Sequence, residues 1–197
     1  MNRILERTRS ALAVIGWIEA AVIVLLLLTI VINISVQVVS RYLFDLPLIW
    51  VEELATYSFI WATFLGASLA LKYRRHVNIE TVVATLGPRR QALFRATHAV
   101  IILTILAVLA PSIWAAIDIE MRRSTISLPV DIPAAWFFSV PFMVAATSLS
   151  LTCIHQLAAS LNEAAGGAPE APIMAMQDEQ DEAEFQAMEH ALDRSPR

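Results

Sequence analysis

The sequence has almost none of the residues from which disulfide, metal or redox frameworks are built. A single cysteine, Cys153, stands among 197 residues, which excludes an intrachain disulfide and any thiol-based cluster. Charge is scarce as well: Asp, Glu, Lys and Arg make up 16% of the chain, against about 25% in soluble domains. Glycine occurs five times, never in a phosphate-cradling or dinucleotide-binding turn, and neither a nucleophile elbow nor a metal-ligand spacing occurs. The chain is therefore not expected to be an enzyme, to hold a cofactor of its own or to bind nucleic acid.

What it does have is apolar length. Hydrophobic residues make up 57% of the chain and mean hydropathy is +0.62, which predicts an integral membrane protein in contact with the lipid bilayer. A bilayer core requires about 20 mostly apolar residues in a helix. Stretches free of Lys, Arg, Asp and Glu cover residues 20–40, 54–71, 96–117 and 132–162, so four transmembrane helices are expected, the last placed at 134–157. Residues 1–19 form a basic amphipathic lead-in, with Ile4, Leu5, Leu12 and Ile15 alternating with Arg3, Arg7 and Arg9. The apolar run behind them is too long for the h-region of a cleaved signal.

Lys and Arg counted in short loops set the orientation. Arg3, Arg7 and Arg9 precede the first span, and Lys72, Arg74, Arg75, Arg89, Arg90 and Arg95 lie between the second and third. The opposite side offers Arg41, Arg122 and Arg123. Both termini are thus expected in the cytoplasm, with residues 41–53 (a loop and the start of helix 2) and the 118–133 loop outside. Trp50, Trp114 and Trp136 fall at the expected outer boundary, as an aromatic belt would. The basic 72–95 segment carries Val77, Ile79, Val82, Val83 and Leu86 ahead of Gly87 and Pro88, which predicts a short helix lying on the inner surface. Its bases would favour anionic headgroups by about 1 kcal/mol each. Residues 158–197 read as an acidic, largely disordered tail: nine of the 18 acids lie in the last 35 residues, against two of the 14 bases.

Few residues could carry chemistry. Glu52 and Glu53 open the second span; with Asp45 as a helix N-cap and Pro47 near the helix start, they fall in the first two turns, where the macrodipole favours anions. Arg41, expected at the same depth, is available as a partner. This placement favours an interfacial anchor or subunit contact over an ion site. Glu19 has the same character at the inner end of the first span; its functional alternative is the carboxylate of a small proton-coupled exporter. Ala62, Thr63, Gly66, Ala67 and Ala70 give the second span small-xxx-small pairs, which permit close helix approach within the chain or to a second protein. Asn33 and Gln37 could hydrogen-bond between helices. His98 and His155 raise the alternative of a haem or quinone anchor, but both sit near inner helix ends instead of at two depths.

The stretch WVEELATYSFIWATFLGASLALKYRRHVNIE resembles the signature of the small membrane subunit, DctQ type, of tripartite ATP-independent periplasmic (TRAP) transporters. The resemblance is carried by Trp50, Glu52, Glu53, Leu54, Ala55, Trp61, Phe64, Leu65, Gly66, Ala67, His76, Val77, Ile79 and Glu80. SLPVDIPAAWFFSVPF is similar to that family's aromatic entry into the last helix, with Pro141 inside it. Thr56 stands where arginine is common and Phe142 where glycine is frequent. The resemblance implies a scaffold subunit of a secondary transporter that imports an organic acid. A large elevator-type DctM subunit would bind substrate and sodium, and a DctP-type periplasmic protein would deliver the substrate. It implies no catalytic, cofactor or metal residue in this chain. Trp50, Glu52, Glu53, Arg41, the small residues of the second span, His76 and Pro141 become candidates for subunit contact or structural roles.

Overall fold

Four long helices account for nearly all of the computed structural model, which describes residues 2–73, 88–125, 130–165 and 173–174. They are α1 (Asn2–Leu43), α2 (Ile49–Lys72), α3 (Pro88–Glu120) and α4 (Ser139–Ala164), the last preceded by a 3-10 turn at Ala134–Trp136. At 1.5 Å per residue even α2, with 24 residues, is roughly 36 Å long. That exceeds the roughly 30 Å hydrocarbon core. All four are apolar enough to cross a membrane. Among the described residues there are no strands, only an isolated bridge between Ser124 and Pro133. The all-α, four-span architecture expected from hydropathy is therefore present. The expected surface helix and acidic tail fall mostly outside the described residues.

The helices form two antiparallel hairpins. In the first, α1 packs on α2; in the second, α3 packs on α4; α2 meets α4 to join them, and α1 reaches α4 as well. Both hairpin connections lie at one end, here termed the loop end. The start of α1, the end of α2, the start of α3 and the end of α4 share the other, terminal end. The most apolar windows of α1 and α3 contain no buried residue, whereas those of α2 and α4 do. The outer helices thus present Leu25, Leu28, Val31 and Ile32 of α1, and Ile101, Ile105 and Val108 of α3, to the surroundings.

Much of what is buried between helices is small. Ala55, Ala62, Ala92, Ala96, Ala99, Ala145 and Ala159 are buried together with Ser58, Ser68, Ser148, Thr152 and Cys153. Between apolar helices in lipid, small side chains replace the hydrophobic effect as the source of cohesion, because they let backbones approach and gain dispersion contacts. The hydroxyls are kept satisfied: Ser58 donates to the Leu54 carbonyl at 2.9 Å and Thr152 to that of Ser148 at 2.9 Å.

The α1–α2 turn differs from the sequence expectation. Asp45 does not cap α2, whose N-cap is Leu48 with no side-chain bond. Asp45 instead adopts a left-handed conformation, φ 55°, which Asp tolerates better than most residues. There the chain reverses, with the Phe44 and Leu46 amides both donating to the Ser40 carbonyl at 3.2 Å and the Ser40 hydroxyl donating to the Leu46 carbonyl at 2.7 Å. At the same end aromatic packing pins the two hairpins together. Tyr57 stacks on Phe137 at 4.0 Å and meets Phe138 edge-on at 5.6 Å, and the Trp61 indole donates to the Trp136 carbonyl at 3.1 Å. Pro141 is buried in the first turn of α4, where its missing N–H leaves no ladder bond unmade.

Candidate functional site

Helix α2 has two contrasting faces. Val51, Ala55, Ser58, Ala62, Leu65, Ser68 and Lys72 are buried, following a helical period along one side. Glu52, Thr56, Phe59, Thr63 and Ala67 are exposed along another. The small-residue stripe is thereby divided: Ala62 is used inside the chain, Ala70 is half-buried, and Thr63 and Ala67 look outward. A Cβ placed on Gly66 would meet nothing within 4 Å, so no intrachain contact requires glycine there.

At the loop end this open face broadens into a groove of about 540 Å³ between α1 and α2, lined by Ile34, Gln37, Arg41, Glu52, Thr56 and Phe59 among others. Glu52 and Arg41 share its wall, but Gln37, not Arg41, bonds the carboxylate, donating from Nε2 to Oε2 at 3.3 Å. Asn33, the other amide expected to bridge helices, has a buried Nδ2 with no acceptor among the described residues. Glu53 is half-buried and accepts a hydrogen bond from Tyr57. Trp50 is partly exposed beside the turn. His76 lies outside the described residues.

The strongest polar constellation was not foreseen. The sequence reading treats Glu19 as an end residue of the first span and Lys72 as a loop cation; the structure buries both, at 6% and 0% exposure, and pairs them. Lys72 Nζ donates to Glu19 Oε2 at 2.5 Å, to Ser148 Oγ at 2.8 Å and to Ser68 Oγ at 3.1 Å. Those three bonds use every proton of the ammonium. Ser148 and Ser68 in turn donate to Glu19 Oε1 at 2.6 and 3.1 Å. The result is a neutral, closed ring that ties α1, α2 and α4 together. Three of the roughly four acceptor positions of its carboxylate are thereby taken.

A signal for this pairing was available in the hairpin register. In an antiparallel helix pair each residue gained on one helix is lost on the other, because both rise by the same 1.5 Å. Gln37 faces Glu52; Glu19 lies 18 residues before the first and Lys72 lies 20 beyond the second. The second hairpin obeys the same rule. Glu120 accepts from Ser139 near its turn, and Arg95, 25 residues back, pairs with Glu163, 24 residues on, at 2.7 Å. Of the histidines, His155 is buried and shares a 2.9 Å hydrogen bond with Thr8, and no group of three or more metal-ligating side chains forms among the described residues.

Residues 30–164 match the family described as "Tripartite ATP-independent periplasmic transporters, DctQ component". The chain is 41% identical over 59 residues to a protein of Haemophilus influenzae named "Putative TRAP transporter small permease protein", which covers 30% of this chain and 37% of the relative. Over 155 residues it is 24% identical to the "Isethionate TRAP transporter permease protein DctMQ" of Oleidesulfovibrio alaskensis, covering 73% of this chain and 24% of the relative. Over 44 residues it is 46% identical to the "Sialic acid TRAP transporter permease protein SiaT" of Haemophilus influenzae, covering 22% of this chain and 7% of the relative. The matched stretches span less than two-fifths of each of these relatives.

Proposed function

The chain belongs to the DctQ-component family of tripartite ATP-independent periplasmic transporters, and from that premise we propose that it is the fixed scaffold subunit against which a larger membrane subunit works. The family is one of transporter membrane subunits, not of enzymes, and the four apolar helices make this a multi-pass membrane protein. The complete transporter, on this reading, imports an organic acid with sodium across the bacterial inner membrane. It combines this chain with a DctM-type subunit and a DctP-type periplasmic binding protein, with both termini of this chain in the cytoplasm. The names of two relatives, which mention isethionate and sialic acid, support an organic anion as cargo. That one relative named DctMQ aligns over 24% of its own length supports a partner several times larger than this chain.

The observation that carries the scaffold role is the open face of α2. A transport site of the secondary-transporter kind needs broken helices and polar groups near the midplane. Here α2 is unbroken, and Glu19 and Lys72 are consumed by each other and by two serines. The same engagement of Glu19 argues against an autonomous exporter. What α2 leaves available is a line of Glu52, Thr56, Phe59, Thr63 and Ala67 beside an empty space at Gly66. In lipid such a surface suits close approach by another helix.

Gly66→Leu tests this directly. A Cβ at this position meets nothing within 4 Å inside the chain, and replacing glycine in a helix interior is favourable by up to about 1 kcal/mol. The isolated variant should therefore keep its thermal stability while recovery of the large subunit on co-purification falls at least about tenfold, equivalent to about 1.4 kcal/mol. Full recovery of the partner with normal uptake would remove α2 from the interface.

A further inference from the structure

Helix α2 stops at Lys72, while α1 continues from Glu19 back to Asn2 and α4 from Ser148 on to Ala164. The end of α2 is consequently the floor of a recess at the terminal end, with the Glu19–Lys72 ring immediately beneath. Two residues from beyond α4, Ile173 and Met174, fill that recess and are only 6% and 5% exposed. They pack on Leu12, with Ala13, Ile15, Leu69 and Tyr73 around them. The Met174 amide points at the Lys72 carbonyl at 3.4 Å, one of the helix-end acceptors that has no partner within the helix. The seat is made by an absent side chain: a Cβ on Gly16 would lie 2.3 Å from the Met174 sulfur and 3.1 Å from Lys72 Cδ. The acidic segment, expected from its composition to be largely disordered, thus contributes two residues to a core.

We propose that Ile173 and Met174 act as a detachable plug, and that the seat formed by Leu12, Gly16, Leu69 and Tyr73 is a binding site for this short apolar segment of the chain's own tail. Lys72 is the last residue of its helix, and a lysine so placed extends its ammonium into water whenever a path exists. The plug closes that path. Seated, it keeps the ring dry and holds α1, α2 and α4 in one register. Unseated, it admits water to Lys72 and lets the ammonium leave Glu19, so that the joint between the two hairpins loosens. Methionine suits a detachable fit because its unbranched thioether adapts to irregular gaps without strict rotamer demands. The proposal concerns this chain alone and does not depend on which partner covers α2.

The test is thiol labelling of the full chain in membrane vesicles with a water-soluble maleimide. A Leu12→Cys, Cys153→Ser chain should react slowly with the native tail. It should react at least about tenfold faster when Ile173 and Met174 are both changed to Asp, and also when Gly16→Leu closes the seat. An excess of a peptide of residues 171–176 should restore protection to the Asp variant but not to Gly16→Leu. Native Cys153, buried between α2, α3 and α4 against Leu71 and Ala99, reports on the fold in a parallel chain and should stay slow in both. Equal labelling of Leu12→Cys with native and Asp-substituted tails overturns the plug. So does acceleration at Cys153 together with Leu12→Cys, which would make the pair an inseparable part of the core.

Discussion

Removing the ammonium of Lys72 while leaving its partner in place should cost more than removing both charges. Lys72→Met keeps an unbranched apolar stem out to the Cε position, so most of the buried volume is kept and packing is a minor variable. What it leaves is the Glu19 carboxylate at 6% exposure, with only the Ser68 and Ser148 hydroxyls donating to it. Breaking a buried pair on one side destabilises by about 3–5 kcal/mol. Glu19→Leu strands the ammonium instead and should cost about as much. The double variant Glu19→Leu/Lys72→Met strands no charge. Its serines retain an outlet, since a helical hydroxyl can turn to the carbonyl four residues back, as Thr152 already does. It should therefore lose no more than about 2 kcal/mol relative to the parent.

Equilibrium unfolding in mixed micelles, followed by tryptophan fluorescence, measures all four corners of this cycle. Additive effects would put the double variant about 6–10 kcal/mol below the parent; the closed ring predicts a coupling of at least about 4 kcal/mol, above the usual range of about 0.5–3 kcal/mol for residues in contact. That coupling corresponds to more than a hundredfold in the unfolding constant. A double variant less stable than either single, or additivity to within about 0.5 kcal/mol, would refute the claim that the two charges hold one another. It would place Glu19 and Lys72 in separate, hydrated environments.

Three further outcomes follow from the same geometry. Glu52→Lys together with Glu53→Lys should reduce recovery of the large subunit and uptake by the assembled transporter; unchanged assembly and transport would remove the glutamates from the interface. Trp61→Phe removes the indole bond to the Trp136 carbonyl and should destabilise the isolated chain by about 0.5–1.5 kcal/mol in the micelle assay, with no change meaning that aromatic stacking alone holds the loop end. Asp45→Cys and Arg90→Cys, each in a Cys153→Ser background, lie at the loop and terminal ends and are both exposed. An impermeant reagent should label them from opposite sides of the membrane, Arg90→Cys from the cytoplasm, and labelling from the same side would invalidate the orientation.

How much of this was legible in the sequence depends on whether a feature is local in the chain. The four spans are local, and runs free of Asp, Glu, Lys and Arg locate them because isolated charges are excluded from lipid one residue at a time. The same rule hides Lys72, since a count that ends a span at its first cation cannot distinguish a lysine in water from one sealed against a carboxylate. The distinction lies in register. Once the turn after Leu43 is known to be short, the matched rise of antiparallel helices brings Glu19 to the level of Lys72, as it brings Arg95 to Glu163. Asp45 shows the opposite failure: a strong local preference for capping was set aside because a left-handed residue at that position lets the chain reverse over Ser40. Ile173 and Met174 leave no local mark, for two apolar residues in an acidic segment become a plug only where Gly16 leaves room and α2 ends early. The ion pair and the plug meet at the terminal end of α2. A helix whose sequence is read as a single membrane span is there the floor of a recess and half of an ion pair, while at its loop end it walls the groove, and each role is fixed by what lies opposite it.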